Sequence, residues 1–229
     1  MKILKFGGTS VGSAKSISAL TDIVKQAQAD ENPVIVLSAM SGVTNSLLAM
    51  AEHARNAEGF NDALKNIEEK HFEVIRSLLP AGAQNPVLTR LKIYFNELED
   101  ILQSVYNLRE LSMQTKDLIL SYGERCSTFM VSHIAKQSFP NALFVDGSEL
   151  IKTDSNFGQA KVNTQLTEML IKDYYENQRE NLLFVTGFIS SNDEGRTTTL
   201  GRGGSDYTAA IWGASLDAEE IEIWILEDE

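Results

Sequence analysis

The stretch KFGGTS, residues 5–10, follows the short apolar run Ile3-Leu4 and is typical of a strand that leads into a phosphate-binding loop. Adjacent glycines let the backbone turn sharply and bring bare N–H groups close to an anion, because no Cβ blocks the approach. Lys5 adds a mobile positive charge at the end of the strand. A helix predicted over residues 13–28 would point its N-terminus at the same anion. An ordinary glycine turn between a strand and a helix explains the stretch equally well, so both interpretations stay open here.

The composition argues against several classes of function. The chain has 229 residues, of which 43% are hydrophobic, as in ordinary globular domains. Its 32 acidic and 20 basic residues leave a net charge of −12, which argues against a general nucleic-acid or anionic-membrane surface. The sequence contains no apolar run of about 18 residues for a membrane span and no apolar segment of a signal peptide. A cytoplasmic location is therefore expected.

Metal and disulfide chemistry are not expected. Cys126 is a single cysteine and cannot form an internal disulfide. The three histidines, His53, His71 and His133, lack the spacing of a metal site. We therefore predict structural roles for all four residues and no metal ligands among them.

The order of the segments predicts an α/β fold. Short apolar runs alternate with amphipathic stretches, which implies right-handed crossovers and a largely parallel sheet. A polar cluster between Phe188 and Leu200 separates two β-prone pieces and predicts a hairpin. The predicted strands are residues 33–37, 142–146, 182–186 and 220–225, and the predicted helices are residues 13–28, 45–56, 112–137, 162–177 and 207–216.

Residues from about 58 to 110 are expected to form a helical insertion. Two apolar stripes with helical spacing run from Phe60 to Leu108, and the segment from Pro80 to Pro86 is expected to separate the two helices. No chemical motif occurs in this region. We interpret it as a lid or a packing insertion with solvated charged faces.

The stretch SAMSGVTN, residues 38–45, follows a predicted buried strand. Small and hydroxyl residues at the carboxyl end of a strand lie where α/β folds bind ligands. A plain helix cap by Thr44 or Asn45 explains the same residues, so this alternative stays open.

The stretch SYGER, residues 121–125, lies within a predicted helix. A glycine in a helix costs about 1 kcal/mol relative to alanine, so Gly123 suggests close approach of another backbone or a ligand. Glu124 would bind a cationic group. A surface ion pair between Glu124 and Arg125 is the simpler interpretation of this stretch alone.

The stretch TTTLGRGGSD, residues 197–206, precedes another predicted helix. Its glycines free the backbone to fold against a ligand, and Arg202 offers a planar fork for a carboxylate. Ser205 and Asp206 are expected at the start of the helix. Asp206 would act as a plain N-cap, would face Lys5, or would do both.

Together these stretches, KFGGTS, SAMSGVTN, SYGER and TTLGRGGSDYTAA, resemble the catalytic domain of aspartate kinase in both content and order. The resemblance covers residues 2 to about 224, and the whole chain, 1–229, is interpreted as part of that domain. The helical insertion also resembles the branch of the family that is fused to homoserine dehydrogenase. No regulatory or dehydrogenase domain is expected within these residues.

The resemblance implies a three-layer α/β/α sandwich with a mainly parallel sheet, the amino-acid kinase or carbamate kinase-like fold. It also implies phosphorylation of the side-chain carboxylate of L-aspartate to 4-phosphoaspartate, with ATP and Mg²⁺. This step leads towards lysine, threonine and methionine. The implied partners are L-aspartate and ATP, without nucleic acid or membrane, and a homo-oligomer is compatible with the family.

The resemblance also implies roles for individual residues. Lys5 would meet the transferring phosphoryl group, Gly7 and Gly8 would offer backbone N–H groups to its oxygens, and Asp206 would hold Lys5 in place. Glu124 would bind the amino group of aspartate and Arg202 a carboxylate. Further polar contacts are assigned to Ser10, Thr44 and Ser205.

The end of the chain departs from the family pattern. After the last predicted strand the family continues into a Thr-Asp-Val-Asp-Gly-like turn, whereas this chain has ILEDE at residues 225–229. We therefore expect a C-terminally incomplete fold, without the remainder of the nucleotide site and with impaired activity. The alternatives are a non-catalytic aspartate-binding fragment or regulatory partner, and another amino-acid kinase acting on glutamate, acetylglutamate or a nucleoside monophosphate.

Overall fold

The computed structural model of the protein describes residues 1–28 and 31–226. Five strands form a parallel sheet in the order β3-β4-β2-β1-β7, and two form an antiparallel hairpin, β5-β6. The strands are β1 (Lys2–Phe6), β2 (Val34–Leu37), β3 (Ala142–Val145), β4 (Leu182–Thr186), β5 (Ile189–Ser191), β6 (Thr197–Thr199) and β7 (Glu220–Trp224). The predicted α/β class and the hairpin are confirmed.

Helices cover both faces of the sheet, which makes the molecule the expected three-layer α/β/α sandwich. Side chains of a strand alternate between faces, so Leu4 and Phe6 join one apolar core while Ile3 joins the other. Helices α1 to α5 contribute to the first core, and α6 and α7 contribute to the second. The helices are α1 (Ala14–Ala27), α2 (Val43–Arg55), α3 (Asn61–Leu78), α4 (Ala81–Leu108), α5 (Met113–Ala135), α6 (Thr164–Asn177) and α7 (Gly204–Ser215).

The expected break between the two long helices is wrong in its extent. Helix α3 ends at Leu78 and α4 begins at Ala81, so Pro86 lies inside α4 rather than at the edge of a linker. Proline removes one backbone hydrogen bond, but it does so near the start of the helix. Val87 and Leu91, which follow it, are buried, so the apolar stripe of the helix continues into the core through the proline.

Glycine, rather than a polar side chain, caps two helices near the site. Gly42 (φ 82°) precedes α2 and Gly203 (φ 74°) precedes α7, and neither helix has a side-chain cap. The alternative that Thr44 or Asn45 caps α2 is therefore wrong, and so is the N-cap role of Asp206, which lies in the first turn of α7. A left-handed residue before each helix suits glycine because it has no Cβ.

Helix α5 crosses close to the loop that follows β2, as Gly123 suggested. A Cβ at Gly123 would lie 2.9 Å from the Cβ of Ala39 and 3.3 Å from Cδ1 of Leu47. The helix can approach the loop this closely because residue 123 has no side-chain atoms. This contact brings the side chain of Glu124 beneath the same loop.

Strand β7 forms one edge of the sheet among the described strands. Its Ile221 and Ile223 are 40% and 54% exposed, in contrast to the fully buried β2. Of the tail at 225–229 that departs from the family pattern, residues 227–229 lie outside the described residues. Within the described part of the chain, no helix is both long and apolar enough to cross a bilayer.

Candidate active site

A cavity of about 380 Å³ lies beyond the carboxyl ends of β1, β2 and β4. This is the edge of a parallel sheet at which α/β folds place ligands. Five separate parts of the chain meet there, and they include most of the residues singled out by their motifs. The lining comprises Lys5, Gly8, residues 38–42, Thr44, Glu124, Phe188 and residues 201–206.

An ion pair joins the first strand to the last helix at this cavity. The Nζ atom of Lys5 lies 2.6 Å from Oδ1 of Asp206. The side chain of Lys5 is only 10% exposed, whereas that of Asp206 is 50% exposed. Asp206 therefore holds a mostly buried ammonium group at the wall of the cavity.

Two helices begin at the cavity and give it a positive potential. Thr44 lies in the first turn of α2 and Ser205 in the first turn of α7, and both residues line the cavity. The unpaired N–H groups of a helix N-terminus carry a partial positive charge. Arg202 adds a full charge and is exposed with no ion-pair partner among the described residues, whereas Asp206 balances the charge of Lys5. This local arrangement would suit an anion even though the protein as a whole is acidic.

Among the described residues that line the cavity, Glu124 carries the one buried carboxyl group. Its Oε1 accepts a hydrogen bond from the N–H of Ala39 at 3.1 Å, while its buried Oε2 has no partner among the described residues. Burial raises the pKa of Glu124 to about 8, and the hydrogen bond from Ala39 opposes this shift. A cation that reached Oε2 would satisfy the orphaned oxygen and favour the ionised carboxylate.

The expected surface pair between Glu124 and Arg125 is wrong. Arg125 Nε instead donates to Oδ2 of Asp146 at 2.8 Å, and Nη1 donates to Oγ of Ser121 at 2.6 Å. Adjacent residues of a helix point in different directions, which explains the separation. Arg125 ties α5 to the turn after β3, and Glu124 is left without a neighbouring positive charge.

The two glycines of KFGGTS have different surroundings. The N–H of Gly7 donates to the carbonyl of Trp224 at 3.1 Å, so Gly7 is engaged with β7 and does not line the cavity. Gly8 does line it, and a Cβ there would lie 2.8 Å from the carbonyl oxygen of Ala39. Of the two glycines whose N–H groups were expected to face an anion, Gly7 uses its N–H within the fold, and for Gly8 the role stays a prediction.

Ser10 does not line the cavity, in contrast to its expected contact with substrate. Its side chain is fully buried, donates to the carbonyl of Trp224 at 3.3 Å and accepts from the N–H of Leu226 at 2.9 Å. Ser10 holds the segment that follows β7. Its hydroxyl forms both hydrogen bonds with backbone groups of the protein.

Phe188 is a lining residue that the motifs did not indicate. It adopts a left-handed conformation (φ 67°), and its N–H donates to Oγ1 of Thr208 at 3.0 Å. A non-glycine residue in this region is strained, and such strain is common beside functional sites. The sequence signal that could have indicated a lining role for Phe188 is its position directly after Gly187, beyond the carboxyl end of β4.

The described residues contain no group of three or more His, Cys, Asp or Glu side chains that could hold a metal ion. Burial raises the pKa of the Cys126 thiol and lowers the pKa of His71 to about 4. A buried neutral thiol is unreactive. Both side chains belong to the core on the α5 side of the sheet.

Comparison with known proteins gives a family and several relatives. A model of the amino acid kinase family matches residues 1–228. Lysine-sensitive aspartokinase 3 of Escherichia coli (strain K12) is 35% identical over 97% of this chain and 48% of its own length. The bifunctional aspartokinase/homoserine dehydrogenase of Buchnera aphidicola is 29% identical over 98% of this chain and 28% of its own length.

A solved structure agrees with the sequence relatives. E. coli aspartokinase III, in complex with aspartate and ADP, matches with a TM-score of 0.88 and 30% identity, over 98% of this chain and 49% of that one. The chain thus spans about half the length of this relative. Aspartokinases named with and without homoserine dehydrogenase both match, so the fused branch is not singled out.

These matches confirm the resemblance to aspartate kinases that the four motifs indicated. The family model covers nearly all of the sequence, and the fold agrees with that of the solved aspartokinase. The protein belongs to the amino acid kinase family.

Proposed function

We propose that the chain is the substrate-binding and phosphoryl-binding part of an aspartate kinase. The proposed reaction transfers the γ-phosphoryl group of ATP to the side-chain carboxylate of L-aspartate, which yields 4-phospho-L-aspartate and ADP. The observation that carries the proposal is one cavity lined by Lys5, Arg202 and a buried, partly unpaired Glu124. Arg202 and Glu124 would match the α-carboxylate and the ammonium group of aspartate, and Lys5 would match the negative charge where the side-chain carboxylate meets the phosphoryl group.

The amino-acid half of the site follows from charge and burial. Oε2 of Glu124 would accept a hydrogen bond from the ammonium group of aspartate. Without this ligand the buried oxygen has no hydrogen-bond partner among the described residues. Arg202 would bind a carboxylate through its planar fork. The hydroxyls of Thr44 and Ser205 line the same cavity and would complete the polar contacts.

The phosphoryl half of the site lies at Lys5 and at the start of α7. Phosphoryl transfer depends on positioning and on neutralisation of charge, so it needs no covalent nucleophile from the protein. Lys5 would stabilise the phosphoryl oxygens, the N–H of Gly8 would donate to one of them, and Asp206 would orient Lys5. The attacking oxygen comes from aspartate, and the departing oxygen leaves on ADP.

Mg²⁺ fits this site as a companion of ATP. It keeps several waters and binds through one or two carboxylates together with substrate phosphates. When bound, it would supply neutralisation of phosphate charge. Asp206 is the half-exposed carboxylate of the cavity and would be the protein group within reach of such an ion.

Calorimetric titration with L-aspartate tests the amino-acid half. We expect the Arg202→Ala and Glu124→Ala variants each to weaken binding by about tenfold or more, because each removes a charge-assisted hydrogen bond. Arg179→Ala is the matched control, since Arg179 is exposed and pairs with Glu176 on the surface. Unchanged affinity in both site variants would rule out this pocket.

A coupled assay of ADP release, with L-aspartate and Mg-ATP, tests catalysis by the chain. We expect turnover well below that of a full-length aspartokinase, since the chain spans about half the length of the E. coli aspartokinase. Turnover equal to that of a full-length relative would contradict the expected impairment.

The second candidate is an aspartate-binding module without phosphoryl transfer. It is favoured by the charges of Arg202 and Glu124 in the cavity, which would suit the carboxylate and ammonium groups of aspartate without requiring ATP. Titration with Mg-ATP separates the two, because this candidate predicts aspartate binding without nucleotide binding. A panel with glutamate, acetylglutamate and nucleoside monophosphates tests the remaining alternative. The oligomeric state stays a prediction.

A further inference from the structure

Asp117 is a buried carboxylate that the proposed reaction does not use. It lies in the second turn of α5 and is only 1% exposed. Its Oδ2 accepts hydrogen bonds from the N–H of Gly158 at 2.8 Å and from the N–H of Thr199 at 3.0 Å. Its Oδ1 accepts the hydroxyl of Thr199 at 2.9 Å. Three donors from two separate segments therefore converge on one side chain.

These bonds hold the segment that leads into the arginine loop. Thr199 is the last residue of β6, and Arg202 follows three positions later. The carbonyl of Thr199 also accepts the N–H of Ala160 at 3.0 Å. A Cβ at Gly201 would lie 3.2 Å from the carbonyl oxygen of Gly158, so the two backbones pack directly against each other. Asp117 thus links the end of β6, from which the loop of Arg202 continues, to the segment around Gly158 that packs against this loop.

Asp117 and Glu124 occupy the same helix, seven residues apart. This spacing is close to two turns, so both side chains leave α5 on one face, about 10 Å apart along its axis. One carboxyl group enters the cavity and the other anchors the loop of Arg202. Helix α5 consequently sets the position of both ends of the amino-acid site.

We infer that Asp117 is a positioning residue that holds the loop of Arg202 in place relative to Glu124, and thereby keeps the carboxylate-binding and ammonium-binding groups of the cavity at the spacing of an α-amino acid. This inference rests on the proposed function, since it concerns the same cavity. Its physical basis is that a buried carboxylate with three hydrogen bonds tolerates little displacement of its donors.

A double-mutant cycle tests the inference by calorimetry with L-aspartate. Asp117→Asn keeps the shape of the side chain but presents an amide to the N–H donors. We expect it to weaken aspartate binding about tenfold. In the Arg202→Ala background we expect less than about a twofold further change, because the positioned group is gone.

Equal factors in both backgrounds would overturn the inference. Asp193→Asn is the matched control, because Asp193 is an exposed residue of the β5–β6 turn. Thr199→Val removes the hydroxyl donor alone and should act in the same direction with a smaller effect. It replaces Asp117→Asn in the cycle if that variant fails to fold.

Hydrogen exchange without ligand separates this inference from the proposed function. We expect Asp117→Asn or Thr199→Val to speed the exchange of amides in residues 199–204, while β1 and β2 keep their protection. Unchanged exchange in that segment would overturn the positioning role. A wild-type chain that binds no aspartate would instead contradict the proposed function, and the exchange result would still decide the role of Asp117.

Discussion

The ammonium group of Lys5 lies 2.6 Å from Oδ1 of Asp206 and connects the end of β1 to the first turn of α7. The pair is asymmetric, because the side chain of Lys5 is 10% exposed and that of Asp206 is 50% exposed. The two ends of the contact therefore respond differently to mutation. The charge of Lys5 is stabilised mainly by Asp206, whereas the carboxylate of Asp206 is also solvated by water.

This asymmetry predicts different stabilities for two variants. Asp206→Asn leaves a mostly buried ammonium group without its counter-charge, and we expect it to lower the free energy of unfolding by about 1 kcal/mol. Lys5→Met leaves only a half-exposed carboxylate and should cost less. Urea denaturation measures both, with Lys25→Met as the control because its pair with Asp22 is exposed. A larger cost for Lys5→Met would contradict the assignment.

The same pair predicts an effect on any phosphoryl transfer by this chain. Removal of one preorganised charged donor from a transferring group lowers the rate by about 10²–10³. Lys5→Met should therefore abolish most ADP release that depends on aspartate. The affinity for L-aspartate should change much less, because Glu124 and Arg202 remain in the cavity. Equal losses of affinity and rate would argue that Lys5 binds the amino acid instead.

Glu124 predicts a pH-dependent stability. Because burial raises its pKa from 4.5 to about 8, the native state holds a proton that the unfolded chain has already released. Its contribution to stability is complete below pH 4.5 and is lost as the pH rises towards 8, with a slope of up to about 1.4 kcal/mol per pH unit. Glu124→Gln lacks this loss and should be more stable than the wild type at pH 8.

The comparison of urea unfolding at pH 5 and pH 8 isolates this contribution, since every other titrating group is common to the two proteins. The difference in stability between variant and wild type should grow between the two pH values. A difference that does not depend on pH would show that Glu124 is already ionised in the native state at pH 5.

Binding of an ammonium ligand should release the same proton. A cation at Oε2 favours the carboxylate and lowers its pKa, so the affinity for L-aspartate should increase between pH 6 and pH 8. Calorimetry at pH 7 in buffers of different ionisation enthalpy measures the proton directly. The heat of binding should depend on the buffer in the wild type. In Glu124→Gln that dependence should vanish along with most of the affinity.

The two glycines of KFGGTS should respond differently to alanine. At Gly8 a Cβ would lie 2.8 Å from the backbone oxygen of Ala39, and we expect a loss of about 1–3 kcal/mol from overpacking. At Gly7 the nearest atom would be the carbonyl oxygen of Trp224 at 3.7 Å, which is an ordinary contact. Urea denaturation of Gly8→Ala and Gly7→Ala compares them. Equal losses would mean that flexibility, rather than close packing, requires both glycines.

A second glycine pair tests the approach of α5 to the site loop. Gly123→Ala places a methyl group 2.9 Å from Cβ of Ala39, so steric conflict should outweigh the gain in helix propensity. Gly82→Ala in α4 meets open space, and we expect it to stabilise the protein by about 0.5–1 kcal/mol. Thermal unfolding of the two variants should shift in opposite directions. A stabilised Gly123→Ala would contradict the close approach.

Much of the fold could be predicted because its elements follow local rules. The alternation of apolar runs and amphipathic stretches indicated the parallel sheet, and the polar cluster before Leu200 indicated the hairpin. The exception at Pro86 has a physical cause, since a proline near a helix start is tolerated when a buried stripe continues through it. Local composition could not reveal that stripe's partners.

The site could be predicted in part, because several motifs end at the carboxyl edge of the sheet. Lys5, Glu124, Arg202 and Asp206 all line the cavity, as their motifs suggested. Ser10 does not, because a hydroxyl can be satisfied by backbone groups as readily as by a ligand. The sequence offers no means of telling these two uses apart.

The amino-acid order alone established the α/β class, the family resemblance and the residue types available for chemistry, since these depend on periodicity and motif. Contacts between distant segments decided which polar groups form hydrogen bonds within the protein. Gly7 donates to Trp224, Asp117 binds Thr199, and Glu124 keeps a free oxygen beneath Ala39. Burial removes water as a competing partner, so only the packed arrangement determines which of these groups are left to meet a ligand.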